Sequence, residues 1–283
     1  MAAPSEDEFT WTLESSHRLT PGISLHTFSR TKTGDLHHGD ITINILPTQT
    51  ITLQFPPDLD PIAGSHNLSE QDRRLDFTPC HLEHDSSGTT TSFSFLSGNG
   101  RVTGLIGLPR PQGQLAVKQV DSGGGFPEEL TVSSQAAICI AGGTGIAPFL
   151  TLPSKQAWKT SNGSRSSLVC SIRGHDFPII EFFLERKMLR PEDWARVFIH
   201  VTPGEDVDGL PAGRSESWWK MRFEHVVQQF PGPVQFSIGR LTEELLASML
   251  QESKDILFCG SKSLEWQVKM WSLGKASVRC TER

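Results

Sequence analysis

The stretch Ala136 to Leu152, AAICIAGGTGIAPFLTL, decides how the chain is read. Its first six residues, Ala136 through Ala141, are apolar without alternation. Such a run suits a strand buried on both faces, as in a parallel sheet. The chain then turns through Gly142, Gly143, Thr144 and Gly145. Ile146 to Leu150 read as a helix start with Pro148 in its first turn, where a missing N–H is harmless. Strand, glycine turn and helix start together make an anion site. Glycines let backbone approach a phosphate, and the helix end presents N–H groups and a positive dipole end. A Walker A loop would end in Gly-Lys-Ser/Thr, and no lysine is present. A Rossmann fingerprint would carry a third small residue where Pro148 stands.

Downstream, strands and helices alternate, which predicts a parallel α/β domain over 133–283. Leu168 to Ile172 form the next strand, ending in Arg173-Gly174-His175-Asp176. A sheet of this kind binds ligands beyond the carboxyl ends of its strands. An NAD-selective site would place Asp or Glu at this strand end; Arg173 suits a 2′-phosphate and leans towards NADP, with NAD still possible. A helix is expected over Ile179 to Leu189, a strand over Ala195 to Val201 and a loop over Pro203 to Gly213. Ser217 to Phe230 reads as a helix whose Trp218 and Trp219 are packing residues. Val234 to Ile238 is a strand, and Thr242 caps a helix with Leu245, Leu246 and Met249 inward. Ile256 to Phe258 lead into Cys259-Gly260-Ser261, a helix over Lys262 to Trp271, and a last strand from Ser277.

Upstream, 1–132 reads as an antiparallel β-barrel behind a mobile tail at 1–8. Strand character marks Ser24 to Thr27, Ile41 to Leu46, Phe93 to Leu96 and Leu115 to Val120; Ile51, Leu53 and Phe55 alternate with polar residues. His37-His38 reads as a polar turn.

The 283 residues suit two domains. A net charge of −6 with no basic stripe argues against nucleic acid. No run of about 18 apolar residues exists, so no membrane span is expected. The acidic N-terminus is unlike a secretory signal. Cys80, Cys139, Cys170, Cys259 and Cys280 include no CxxC pair, which argues against zinc or an iron–sulfur cluster and for reduced thiols in the cytoplasm.

GGTGIAP, followed at distance by Cys259-Gly260, resembles the pyridine-nucleotide motifs of the ferredoxin–NADP reductase superfamily. The resemblance implies a flavin-binding barrel followed by an NAD(P)-binding domain, with FAD and NADP as cofactors. It places nucleotide contacts at Gly142, Gly143, Thr144, Gly145, Ile146, Pro148, Cys259 and Gly260, with Cys259 beside the nicotinamide; Arg173, read above from its strand end, joins them as a candidate cofactor contact. On the barrel, Phe77-Thr78-Pro79 looks like the family's Arg-x-Tyr-Ser/Thr strand, with Thr78 near the flavin N5 and Phe77 against the ring. Leu75 stands where that motif has arginine, so Arg74 would serve only if the strand bulged. Gly100, Val102 and Thr103 resemble a second motif, at a phosphate-binding helix start. Ala63 to His66 look like the family's Pro-Gly-Gln-His-type strand entry, DSGGGFP (121–127) like the last barrel turn, and Glu282 like an acid near the family's terminus. The chain has no tyrosine, and its end carries no aromatic residue.

The reading implied is an NAD(P)H-dependent flavoprotein oxidoreductase, acting on a small-molecule substrate or a separate electron-acceptor protein. The altered flavin motifs leave two alternatives: a non-redox enzyme, such as an isomerase or cyclase, on a repurposed reductase fold, or a regulatory module that senses NADPH.

Overall fold

A computed structural model of the chain describes residues 9–30, 44–60, 68–110, 113–126, 136–152, 165–203, 215–230, 232–251 and 253–281. The tail at 1–8, His37-His38, Ala63 to His66, the loop after Pro203 and Glu282 lie outside them. Two compact units divide between Gly125 and Phe126. The boundary expected at 132/133 falls in 127–135, also outside the described residues.

The first unit holds β1 (Phe9–Thr20), β2 (Ile23–Arg30), β3 (Thr50–Gln54), β4 (Arg74–Phe77), β5 (Pro79–His84), β6 (Thr90–Gly98) and β7 (Ala116–Gly123). They form one antiparallel sheet in the order β4-β3-β7-β1-β2-β6-β5. β4 and β5 end opposite edges of that sheet, yet only Thr78 joins them. The sheet must therefore curl upon itself into a barrel. Across the closure the Phe77 ring stacks on Phe95, with centroids 3.9 Å apart. Trp11, Phe28, Ile51, Leu53, Phe55, Phe93 and Val117 fill the same core. The strand expected to run to Leu46 is absent at 44–46. Ile45 is nevertheless buried, and its N–H donates to the Thr90 hydroxyl at 2.9 Å, so a side chain rather than a ladder satisfies the backbone here.

The second unit holds β8 (Ile138–Gly142), β9 (Ser167–Arg173), β10 (Arg196–Thr202), β11 (Val234–Ile238), β12 (Asp255–Cys259) and β13 (Ser277–Cys280). All pair in parallel, in the order β11-β10-β9-β8-β12-β13. Its helices are α1 (Ala147–Thr151), α2 (Phe177–Glu185), α3 (Glu216–Gln229), α4 (Glu243–Met249) and α5 (Lys262–Trp271). Thr242 and Ser261 cap α4 and α5 by accepting from the Leu245 and Leu264 N–H groups. The helix expected to reach Leu189 ends at Glu185, because Lys187 adopts a left-handed φ of 55°. Strand order reverses at β8, which has β9 on one side and β12 on the other. Their carboxyl ends flank the crevice where an open sheet of this kind takes its ligand.

Candidate functional site

The glycine loop and the Cys259-Gly260 pair meet at that reversal. β8 and β12 pair Ala141 with Cys259, so the two turns leave the sheet side by side. A Cβ on Gly145 would sit 2.2 Å from the Cys259 carbonyl oxygen. A Cβ on Gly260 would lie 3.0 Å from Gly142 Cα, and one on Gly142 would lie 3.1 Å from the Leu264 side chain. Three of these glycines thus serve backbone-to-backbone packing of the two turns. Gly143 differs: its φ is +57°, and nothing stands within 4 Å of its Cβ position. Thr144 is exposed beside it, and helical backbone runs on from Gly143 through Thr151, with Ile146 and Pro148 buried. Open space at a glycine before a helix N-terminus is the geometry an anion needs.

Cys259 is half-buried, and its Sγ accepts from the Thr281 hydroxyl at 3.5 Å. The other central thiols are closed off. Burial pushes Cys170 up to about 12 and Cys139 well above the usual thiol range, so both are inert.

Arg173 is exposed at the end of β9. Its neighbour Asp176 faces His175 at 3.5 Å. A Cβ on Gly174 would lie 2.8 Å from the Trp219 ring, so α3 walls off the turn beside Arg173. Trp219 is buried edge-on against Phe177 at 5.6 Å.

On the barrel, the expected flavin residues diverge. β4 pairs with β3 in unbroken register from Ile51–Phe77 to Gln54–Arg74. With no bulge, Arg74 and Phe77 point to opposite faces; Arg74 is exposed, and Phe77 is buried in the aromatic core. Thr78 is half-buried at the closure, its hydroxyl 3.2 Å from that of Thr50. The helix expected after Gly100 is a single 3-10 turn, Thr103–Leu105. The Thr103 hydroxyl accepts from the Gly100 N–H at 2.8 Å and donates to the Gly98 carbonyl at 2.5 Å, and Val102 is buried.

No family model matches the chain, and no curated protein matches it in sequence. Solved structures do. A ferredoxin NADP+ reductase from Neisseria gonorrhoeae, with bound FAD and NADP, superposes with a TM-score of 0.57 at 14% identity, over 96% of this chain and 97% of that one. The CS-b5R domains of human Ncb5or, in an NAD+ form, reach 0.57 at 14%, over 99% of this chain and 71% of that one. A ferredoxin reductase in carbazole 1,9a-dioxygenase reaches 0.55 at 14%, over 97% and 68%. The chain has the ferredoxin–NADP reductase fold.

Within this reductase fold the sequence reading passed over one feature. Gly142, Ser171, His200 and Ser237 lie in register across β8, β9, β10 and β11. They form a polar row leading away from the glycine loop. His200 Nδ1 lies 2.5 Å from the Ser237 hydroxyl, its Nε2 is buried without a partner, and burial lowers its pKa. The available signal was Ser171 and Ser237 interrupting otherwise apolar strands at equivalent positions.

Proposed function

We propose that the chain is an NAD(P)H-dependent flavin oxidoreductase that passes electrons to a small-molecule or separate protein acceptor. The observation that carries this reading is the contact of Gly145 with the Cys259 backbone, which joins the two nucleotide motifs into one site. A dinucleotide would lie across that site. Gly143 would leave room for its pyrophosphate at the helix N-terminus. Arg173 would meet a 2′-phosphate, since a guanidinium pairs with phosphate through parallel N–H donors. Cys259 would offer the nicotinamide a polarizable sulfur whose orientation the Thr281 hydroxyl fixes.

FAD, when bound, would supply a two-electron acceptor that releases electrons onward. On the barrel, Thr78 is the family-motif position left open to it; unbulged β4 keeps Arg74 out of the motif's arginine position, and the Phe77 ring and the Thr103 hydroxyl are engaged internally. That engagement favours a second reading: a non-redox enzyme or NADPH-sensing module that keeps the dinucleotide site on this fold.

Titrating purified protein with NADPH, and separately with FAD, distinguishes the readings. Binding of both with NADPH oxidation by an artificial acceptor supports the reductase. NADPH binding with no FAD uptake supports the second reading, and failure to bind either defeats both.

A further inference from the structure

The second unit carries an apolar stripe that none of the described residues covers. Trp266, Met270 and Leu273 are 65%, 51% and 75% exposed, among the most exposed large apolar side chains of the described residues. At 100° per residue the three lie within about 60° of one another on the α5 helix and the turn that continues it. Val268 on the opposite face is fully buried in the sheet core, with Leu264 and Trp271 packed beside it. The stripe therefore faces straight outward from the sheet.

Its surroundings are basic. From Ser261 to Thr281 the sequence holds Lys262, Lys269, Lys275 and Arg279 against Glu265, and with Glu243 of α4 beside Lys275 the local charge is +2 on a chain of net −6. Lys269 pairs with Glu265 at 2.6 Å along the helix flank. Lys275 lies 3.6 Å from Glu243 of α4. Lys262 is exposed one turn before Trp266. Such an exposed pair holds little energy and exchanges readily for another anion.

We infer that α5 docks this protein onto an anionic phospholipid surface, with Trp266, Met270 and Leu273 entering the headgroup region and the lysines meeting lipid phosphates. The stripe presents on the order of 400 Å² of apolar area, about half of the ~800 Å² per partner that a stable protein interface takes. A bilayer needs no matched second surface, and a Trp-bearing stripe edged by lysines suits its interface, where long basic side chains reach the headgroups. The contact lies on the surface and requires no spanning segment. Among the described residues no helix is long and apolar enough to cross a membrane.

The test is flotation of the whole protein with phosphatidylcholine vesicles containing about 30% phosphatidylserine, beside pure phosphatidylcholine vesicles. The protein should float with the anionic vesicles, more weakly at high salt. The triple substitution W266S/M270S/L273S should cut the bound fraction about tenfold while leaving NADPH affinity unchanged. Because the triple change alters three side chains, Trp266→Glu alone, which removes the ring and sets a carboxylate against the lipid phosphates, provides a second variant and should also lose binding. Failure of the wild-type protein to float, or flotation of either variant equal to that of the wild type, overturns the inference. So does a concentration-dependent dimer in sedimentation that the triple variant abolishes, since a second copy would then occupy the stripe.

Discussion

Gly143 and Gly145, two residues apart in one turn, should fail in opposite ways when given a methyl group. At Gly145 the new Cβ would stand 2.2 Å from the Cys259 carbonyl oxygen and 2.6 Å from its carbon. Both obstacles are backbone, so no rotamer relieves them, and one turn must retreat by about 1 Å to restore ordinary contact. Overpacking of this kind costs about 2–3 kcal/mol, which lowers the melting temperature of a unit this size by roughly 4–12 °C. At Gly143 the methyl meets nothing within 4 Å, and the only cost is the left-handed φ of +57°, about 1 kcal/mol or roughly 2–4 °C. Affinity should separate them the other way. The Gly143→Ala methyl occupies the space assigned to phosphate, so NADPH should bind about tenfold more weakly than its small stability loss suggests. Calorimetry of both variants, with NADPH titration below their melting temperatures, gives the two readouts. A Gly145→Ala protein that melts like wild type refutes the packing argument. A Gly143→Ala protein that binds NADPH normally refutes the assignment of the phosphate site.

Three further outcomes are expected. His26 is buried between Ser16 and Ser97, and burial lowers its pKa from 6.5 to about 4. The folded state then keeps it neutral while the unfolded chain takes up a proton, so stability present above pH 6.5 is lost as pH falls towards 4, by about 3 kcal/mol. Urea unfolding at pH 7 and 4.5 should show this slope reduced in His26→Gln, and an unchanged slope would contradict it. Phe77→Ala should destabilise the barrel by about 3–5 kcal/mol, as loss of a stacked core ring does, whereas Arg74→Ala should change stability by less than about 0.5 kcal/mol; equal effects in thermal melts would overturn the assigned faces. Arg173→Ala should weaken NADPH about tenfold while leaving NADH affinity unchanged, and parallel losses for both would remove the 2′-phosphate role.

What the sequence revealed follows the strength of its local signals. Ile138 to Ala141 are apolar without a break because both faces of β8 are buried, and the following glycines stand where two turns touch. Those are short-range demands, readable from residue types alone. The long α3 helix and the packing of Trp219 were legible for the same reason: Trp219, Phe223 and Val226 recur at helical spacing, whereas Trp218 is only half-buried. The barrel hid more. The role of Phe77 depends on Phe95, eighteen residues away on a strand that reaches it only through sheet closure. No periodicity could tell a flavin-facing ring from a core ring at that position. Likewise Thr103 opens only one 3-10 turn, and its hydroxyl partners are settled by backbone geometry around Gly98 and Gly100. His200 escaped notice because its meaning lies in register with Ser171 and Ser237 on neighbouring strands.

The reductase reading rests most directly on the visible absorption spectrum of the protein, purified and supplied with FAD, before and after anaerobic NADPH. Flavin bands should stay with the protein through gel filtration and bleach when NADPH is added. A colourless protein that binds NADPH yet retains no FAD would contradict it and leave the dinucleotide site with a non-redox role.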